Sequence, residues 1–86
     1  MNLQNTRFIN SAFHEIDFTE SNLSGALFER CDLMGSIFDG TKLEKADFRT
    51  AFNYSIDPEK NKLKKAKFSL PGITGLLGKY GLEIES

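Results

Sequence analysis

The sequence predicts an all-β repeat solenoid, a chain that turns a corner every five residues and stacks its coils. Three observations lead there. Positions 3, 8, 13, 18, 23, 28, 33, 38, 43 and 48 are all Leu or Phe. These two types make up only 18 of 86 residues, so an unbroken run of that length has a chance probability on the order of 10⁻⁷ and marks a fixed repeat. A five-residue beat fits neither the 3.6-residue period of a helix nor the two-residue period of a strand. The residue two places before each Leu or Phe is small or uncharged (Thr6, Ser11, Ser21, Ala26, Cys31, Ser36, Thr41, Ala46), with Ile16 as the large exception. Two residues in five therefore point inward, and the other three, rich in Asn, Asp, Glu, Lys, Arg, Ser and Gly, form a solvated wall with tight turns.

Composition sets the outer limits. Eighty-six residues with 40% hydrophobic and 27% charged residues and a net charge of -1 describe one small globular domain. One Cys and one His leave no Cys-based zinc site, no internal disulfide and few catalytic His arrangements. No apolar run approaches the roughly 20 residues that cross a bilayer, and MNLQNTRF has no secretion-signal core. The expectation is a cytoplasmic protein that takes no cofactor and no metal.

Units such as SNLSG (21–25), CDLMG (31–35) and ADFRT (46–50) resemble the A(D/N)LXX units of pentapeptide-repeat proteins over about residues 1 to 70. The resemblance implies a right-handed quadrilateral β-helix of four units, or 20 residues, per coil. Spacing by 20 can be checked directly in the sequence. Leu3, Leu23, Leu43 and Leu63 form one column and Phe8, Phe28, Phe48 and Phe68 the next, each of one residue type. Like residues nest on one another without voids. With Phe13 and Leu33 in the third column and Phe18 and Phe38 in the fourth, these twelve residues are the expected core.

Residues 1–70 are thus read as about three and a half coils, roughly 17 Å of stack at a β spacing near 4.8 Å. The segment 51–60, AFNYSIDPEK, puts Asn53 and Pro58 where the third and fourth columns expect large apolar residues, yet the repeat resumes in phase at Leu63. It is read as a distorted half-coil, with a turn or bulge at Pro58. Two readings of it stand: a binding loop carrying Phe52 and Tyr54, or an irregular last turn before the cap.

Residues 71–86 change character. Ser69 can cap, Pro71 suits a first helical turn, and Ile73, Leu76, Leu77 and Tyr80 follow the i, i+3, i+4, i+7 stripe of an amphipathic helix that Gly81 ends. Glycines 72, 75 and 78 each cost roughly 1 kcal/mol in a helix interior, so the helix requires a docking partner. That partner is either the open end of the solenoid or a second copy. Leu82-Glu83-Ile84 alternates like a short strand. The tail is similar to the C-terminal helix and strand of quinolone-resistance pentapeptide proteins. That similarity implies a homodimer whose interface is Ile73, Leu76, Leu77 and Tyr80. At the other end residues 1–3 already sit in register. This suggests a piece of a longer repeat protein, or else a second association surface there.

With the interior given to packing, function falls to the walls. The Leu3 wall carries Lys42, Lys45, Lys62, Lys64 and Lys65 against Glu44, a net of +4. The Phe18 wall carries Asp17, Glu20, Asp39, Asp57 and Glu59 against Lys60, a net of -4. The Phe8 wall nets +2 from Arg7, Arg30, Arg49 and Lys67 against Glu29 and Asp47, and the Phe13 wall nets -2 from Glu15 and Asp32. This map predicts a non-enzymatic scaffold for protein-protein interaction that also self-associates. The alternative implied by the resemblance is a DNA mimic, whose acidic wall occupies the DNA-binding saddle of DNA gyrase.

Direct nucleic-acid binding is not expected, because the lysines have no aromatic stacking platform. His14 is expected on a solvated wall. Cys31 is expected buried and inert, and the glycines of the tail do not form a phosphate loop. Ile9, Leu27, Met34 and Ile37 are outward apolar positions, either scattered singly or forming a binding patch.

Overall fold

The computed structural model describes residues 1–77 and 81. Its backbone is a parallel ladder in which every pairing joins residues 20 apart. The pairs run Asn2 to Asn22 to Lys42 to Lys62, Arg7 to Leu27 to Asp47 to Lys67, Ala12 to Asp32 to Phe52, and Asp17 to Ile37. Two stretches are long enough to count as strands, β1 (Arg7–Ile9) and β2 (Leu27–Glu29), and they pair in parallel with Phe8 opposite Phe28. The other sides pair through single bridges, because the chain bends every five residues. The result is a repeat β-helix with four five-residue sides to each coil.

The bends are made locally. Backbone i to i+3 hydrogen bonds close turns at Leu3–Thr6, Phe18–Ser21, Leu23–Ala26, Leu33–Ser36, Leu43–Ala46 and Leu63–Ala66, at 2.9–3.2 Å. In each of them the third residue has positive φ: Asn5, Glu20, Gly25, Gly35, Lys45 and Lys65. That is the dihedral signature of a type II turn, which Gly and Asn adopt at least cost.

The second residue of a unit supplies another fastening when it is Asp or Asn. The side-chain oxygens of Asn2, Asp17, Asn22, Asp32, Asp47 and Asp57 each accept the backbone N–H two residues on, at 2.9–3.3 Å. These are Asx turns. Asn and Asp serve equally well, so geometry explains the (D/N) position without reference to charge.

Inside, the rings pile up as spaced. Phe8, Phe28, Phe48 and Phe68 are stacked with centroids 4.9, 4.9 and 5.3 Å apart and interplanar angles of 17° or less. Phe18 and Phe38 stack at 5.1 Å. Leu23, Leu33, Leu43, Phe28 and Phe48 are fully buried. Leu3, Phe8, Phe13, Leu63 and Phe68 are half-buried against them, since they lie in the outermost coils.

The small inward column is polar for a reason. The side chains of Cys31, Thr41 and Asn61 donate to the carbonyls of Phe8, Phe18 and Phe38, and Ser36 donates to that of Phe13. Each bond reaches 23 residues back, to the corner of the coil below. Buried polar groups are tolerated on such terms.

Three expectations within the coils are corrected. Ile16 occupies an inward position but is 39% exposed, because it lies in the first coil, where no described coil covers it. Leu27 lies on a wall yet is half-buried, between Arg7 and Asp47 in its ladder. In the irregular segment Asn53 is exposed and Tyr54, one residue on, turns inward in its place, while Ile56 is buried at the regular inward position two places before Pro58. Pro58 sits in the turn expected there, closed by Lys60 N–H to the Asp57 carbonyl, 3.1 Å.

The tail, expected as an amphipathic helix ending at Gly81, is a 3₁₀ helix over Pro71–Leu76 that ends on Leu77. Three residues per turn put Gly72 and Gly75 on one side. That side lies on Tyr54: a Cβ on Gly72 would come within 2.5 Å of the Tyr54 hydroxyl, and one on Gly75 within 2.7 Å of its ring. Tyr54 O–H donates to the Gly72 carbonyl (2.6 Å), and Ile56 N–H donates to the Gly75 carbonyl (2.8 Å). Ser69, expected to cap, stands one place before the N-cap, Leu70, which makes no side-chain cap bond, and its Oγ accepts the Gly72 amide at 3.1 Å. Gly78, Tyr80 and the segment 82–84 lie outside the described residues.

Candidate interaction surfaces

The stacked backbone fixes which side chains share a wall, so the charge map can be read off the ladder. Lys42 pairs directly with Lys62 on the Leu3 wall, and Lys45, Lys64 and Lys65 are exposed beside them. Among the described residues the ion pairs are His14–Asp32 (2.8 Å), Arg30–Glu29 (3.4 Å) and Arg49–Asp47 (2.9 Å). No lysine of the Leu3 wall takes part.

On the neighbouring Phe18 wall Asp17, Glu20, Asp39 and Glu59 are exposed and Asp57 is half-buried. Asp17 and Asp57 hold Asx turns. The carboxylate of Asp17 is kept below its usual range by the Thr19 hydroxyl and then by the Thr19 amide.

The Phe13 wall carries a small network. His14 Nε2 meets Asp32 at 2.8 Å, Asn53 Nδ2 donates to Asp32 at 3.0 Å, and the Met34 amide donates at 3.1 Å. These bonds, that with His14 first, hold the Asp32 carboxyl below the usual Asp range. On the Phe8 wall Arg49 forks onto Asp47 through Nε and an Nη; this depresses Asp47 and raises Arg49. The first cluster joins three coils and the second fastens one, and each has its partners already.

Cys31 is fully buried, bonds to the Phe8 carbonyl at 3.3 Å, and has its thiol pushed up by burial. Among the described residues no group of three His, Cys, Asp or Glu side chains is placed to hold a metal ion. No described helix is long and apolar enough to cross a membrane.

The exposed apolar side chains include Ile9, Ile16, Met34, Ile37 and Phe52. Phe52 and Tyr54, weighed together as a binding loop, divide: Phe52 faces solvent, while Tyr54 packs on Phe48 and Phe68 at 5.5 and 5.8 Å. Burial also raises the Tyr54 hydroxyl above its usual pKa. An open groove of about 540 Å³ runs between 51–55 and the 3₁₀ helix. Of the residues expected at a dimer interface, Leu76 packs against the chain's own core, while Ile73 and Leu77 are half-buried.

Residues 13–49 match the family model for pentapeptide repeats, in eight copies. No curated protein matches the sequence. Among the solved structures that resemble this chain are two of trypsin-treated QnrB1, a plasmid-mediated fluoroquinolone resistance protein. One is 18% identical over 98% of this chain and 43% of its own, with a TM-score of 0.47. The other is 17% identical over 99% of this chain and 68% of its own, with a TM-score of 0.35. This chain therefore spans less than half the length of the first.

Proposed function

Because this chain is a pentapeptide-repeat protein, we propose that it acts as a non-enzymatic scaffold: a right-handed, four-sided rod whose walls bind protein partners and whose C-terminal segment self-associates. One observation carries this reading. The shaft is filled by Leu23, Phe28, Leu33, Leu43 and Phe48, all fully buried, which leaves recognition to walls of opposite charge. In the self-association Ile73 and Leu77 are the available contacts, with Tyr80 beyond the described residues. The 3₁₀ helix caps the shaft, because it satisfies Ile56 and shields Tyr54.

Opposite charges on neighbouring walls suit partners of opposite sign held at the same time. The test is retention of the intact protein at low salt on immobilised polyglutamate and on polylysine. Replacing Lys42, Lys62 and Lys64 by Glu should abolish the first and spare the second. Glu20→Lys with Asp39→Lys should do the reverse. Failure to bind either polymer refutes the reading. A gyrase supercoiling assay separates it from DNA mimicry, which the acidic wall alone would favour: a scaffold leaves supercoiling unchanged.

A further inference from the structure

We infer that the Leu3 wall of one copy docks on the Phe18 wall of a second copy, with the two rods parallel and offset by one coil. The inference rests on the walls being binding surfaces, as proposed above, and names the partner that two of them share.

The lysines form a grid. Lys42 and Lys62 are ladder partners, one above the other, and like charges so placed repel. Lys62 and Lys64 flank Leu63, so they stand about 6.7 Å apart along their side, while neighbouring coils lie about 4.8 Å apart. None of the three makes an ion pair among the described residues. The fourth place of the grid, below Lys64, belongs to the half-buried Glu44. The Phe18 wall repeats this grid in carboxylates. Asp57 and Glu59 flank Pro58, with Ile37 below Asp57 and Asp39 below Glu59, a phase that the Gly40 amide holds by donating to the Lys60 carbonyl at 2.8 Å. Asp39 and Glu59 are exposed, and so is Ile37, at 51%.

Register selects the fit. Two walls laid face to face with their stacks parallel run their sides in opposite directions, so the second residue of a unit on one wall meets the fourth on the other. With the fourth coil of one copy beside the third coil of the next, Lys62 meets Glu59, Lys64 meets Asp57 and Lys42 meets Asp39. Glu44 meets Ile37, and one row lower Asn22 and Ser24 meet Thr19 and Asp17. Lys45, Lys60 and Lys65 stand at the corners, on the rim, where exposed charges contribute little. Three other placements cover both lysine rows with residues 16–60, and each sets Glu44 against a carboxylate. It faces Asp17 in parallel stacks offset by two coils, and Asp39 or Glu59 when one rod is turned over. The overlap is three rows, about 14 Å high, and at most 25 Å wide. It buries about 700 Å² on the two copies together, below the range of stable complexes. Association is therefore weak and salt-sensitive. It is also heterologous, so a docked pair still offers one wall of each kind and assemblies grow beyond two copies.

Sedimentation equilibrium on the 86-residue protein, over concentrations reaching the millimolar range and in about 10 mM and about 500 mM salt, reads the association. The series is run on wild type and on Leu77→Asp, which removes the C-terminal contact proposed above; the wall contact should persist in both at low salt and disappear at high salt. Lys42→Glu with Lys62→Glu should weaken it about tenfold or more, as should Asp39→Lys with Glu59→Lys, and mixing the two double variants should restore it. Ile37→Asp tests the register. Asp fills the same place of the unit at positions 17 and 57, where it holds an Asx turn, and circular dichroism checks that the coil persists. The added carboxylate should strengthen retention on polylysine, yet it faces Glu44 across the contact and should weaken self-association about three- to fivefold. A monomer at every concentration in low salt overturns the inference. So does association that Ile37→Asp strengthens or leaves unchanged, or that Leu77→Asp abolishes. Retention on polyglutamate and on polylysine in those cases would keep the walls as binding surfaces and discard the second copy as their partner.

Discussion

Asn61 is the side chain on which the irregular segment hangs, and replacing it by Leu tests the packing argument most sharply. Its Nδ2 donates to the carbonyls of Phe38 and Asp57, both at 2.9 Å, and its Oδ1 accepts the amide of Thr41 at 3.0 Å. The amide thereby links two neighbouring coils just where the ladder on the fourth side has no third rung. Leu keeps the branching and heavy-atom count of Asn with bulkier methyls, so Asn61→Leu opens no cavity, removes the hydrogen bonds and adds some crowding. Phe38 and Thr41 are 5% and 0% exposed, so the Phe38 carbonyl and the Thr41 amide would be stranded away from water. At about 1–3 kcal/mol for each stranded group, the loss should be about 2–6 kcal/mol. The Asp57 carbonyl adds little, because that residue is half-buried and within reach of solvent. Urea unfolding followed by circular dichroism measures the change, with an unchanged m-value showing that the native coil persists. Asn61→Asp keeps the acceptor for Thr41 but sets a carboxylate against two carbonyls, and should cost at least as much. A loss below 1 kcal/mol for Asn61→Leu would refute the claim that this amide replaces the missing rung.

Gly75→Ala separates docking from propensity. Propensity alone predicts a gain of up to about 1 kcal/mol, whereas a methyl pressed on the Tyr54 ring and carbonyl predicts a loss of about 1–3 kcal/mol; the sign of the shift in the urea midpoint decides. Acid should destabilise the fold through Asp17, Asp32 and Asp47, whose carboxyls are all depressed in the folded chain. A depressed native pKa means that the unfolded chain takes up protons first, so the stabilisation is complete above the unfolded value near about 3.9 and fades as pH drops through the native values. Asp17→Asn keeps its Asx turn without the titration: it should match wild type at neutral pH and outlast it in thermal melts below about pH 4. A melting difference that does not vary with pH would refute this.

The stacked columns were legible because they require identity: a ring nests best on a ring, and the 20-residue period repeats Leu on Leu and Phe on Phe. The corners were legible too, although the glycines and asparagines at 5, 10, 25, 35 and 40 that mark left-handed φ were read only as turn-formers. Where neighbours decide, the sequence was mute. Ile16 has the inward position but no described coil beneath it, and Tyr54 fills the shaft because the chain at 53–54 slips one residue from the five-residue beat. The helical stripe at 73, 76, 77 and 80 hid a second spacing, glycines three apart, which suits the 3₁₀ turn that Tyr54 selects. The same reasoning divides the acidic wall. Asp17 and Asp57 occupy a position where Asn serves as well in Asn2 and Asn22, so their charge follows from turn geometry. Glu20 and Asp39 are exposed and make no side-chain hydrogen bond among the described residues. Glu20 even holds a left-handed φ, a conformation that Gly would adopt at less cost. Their carboxylates contribute nothing to the coil, so on this wall they are the residues whose chemistry is left for a partner to read.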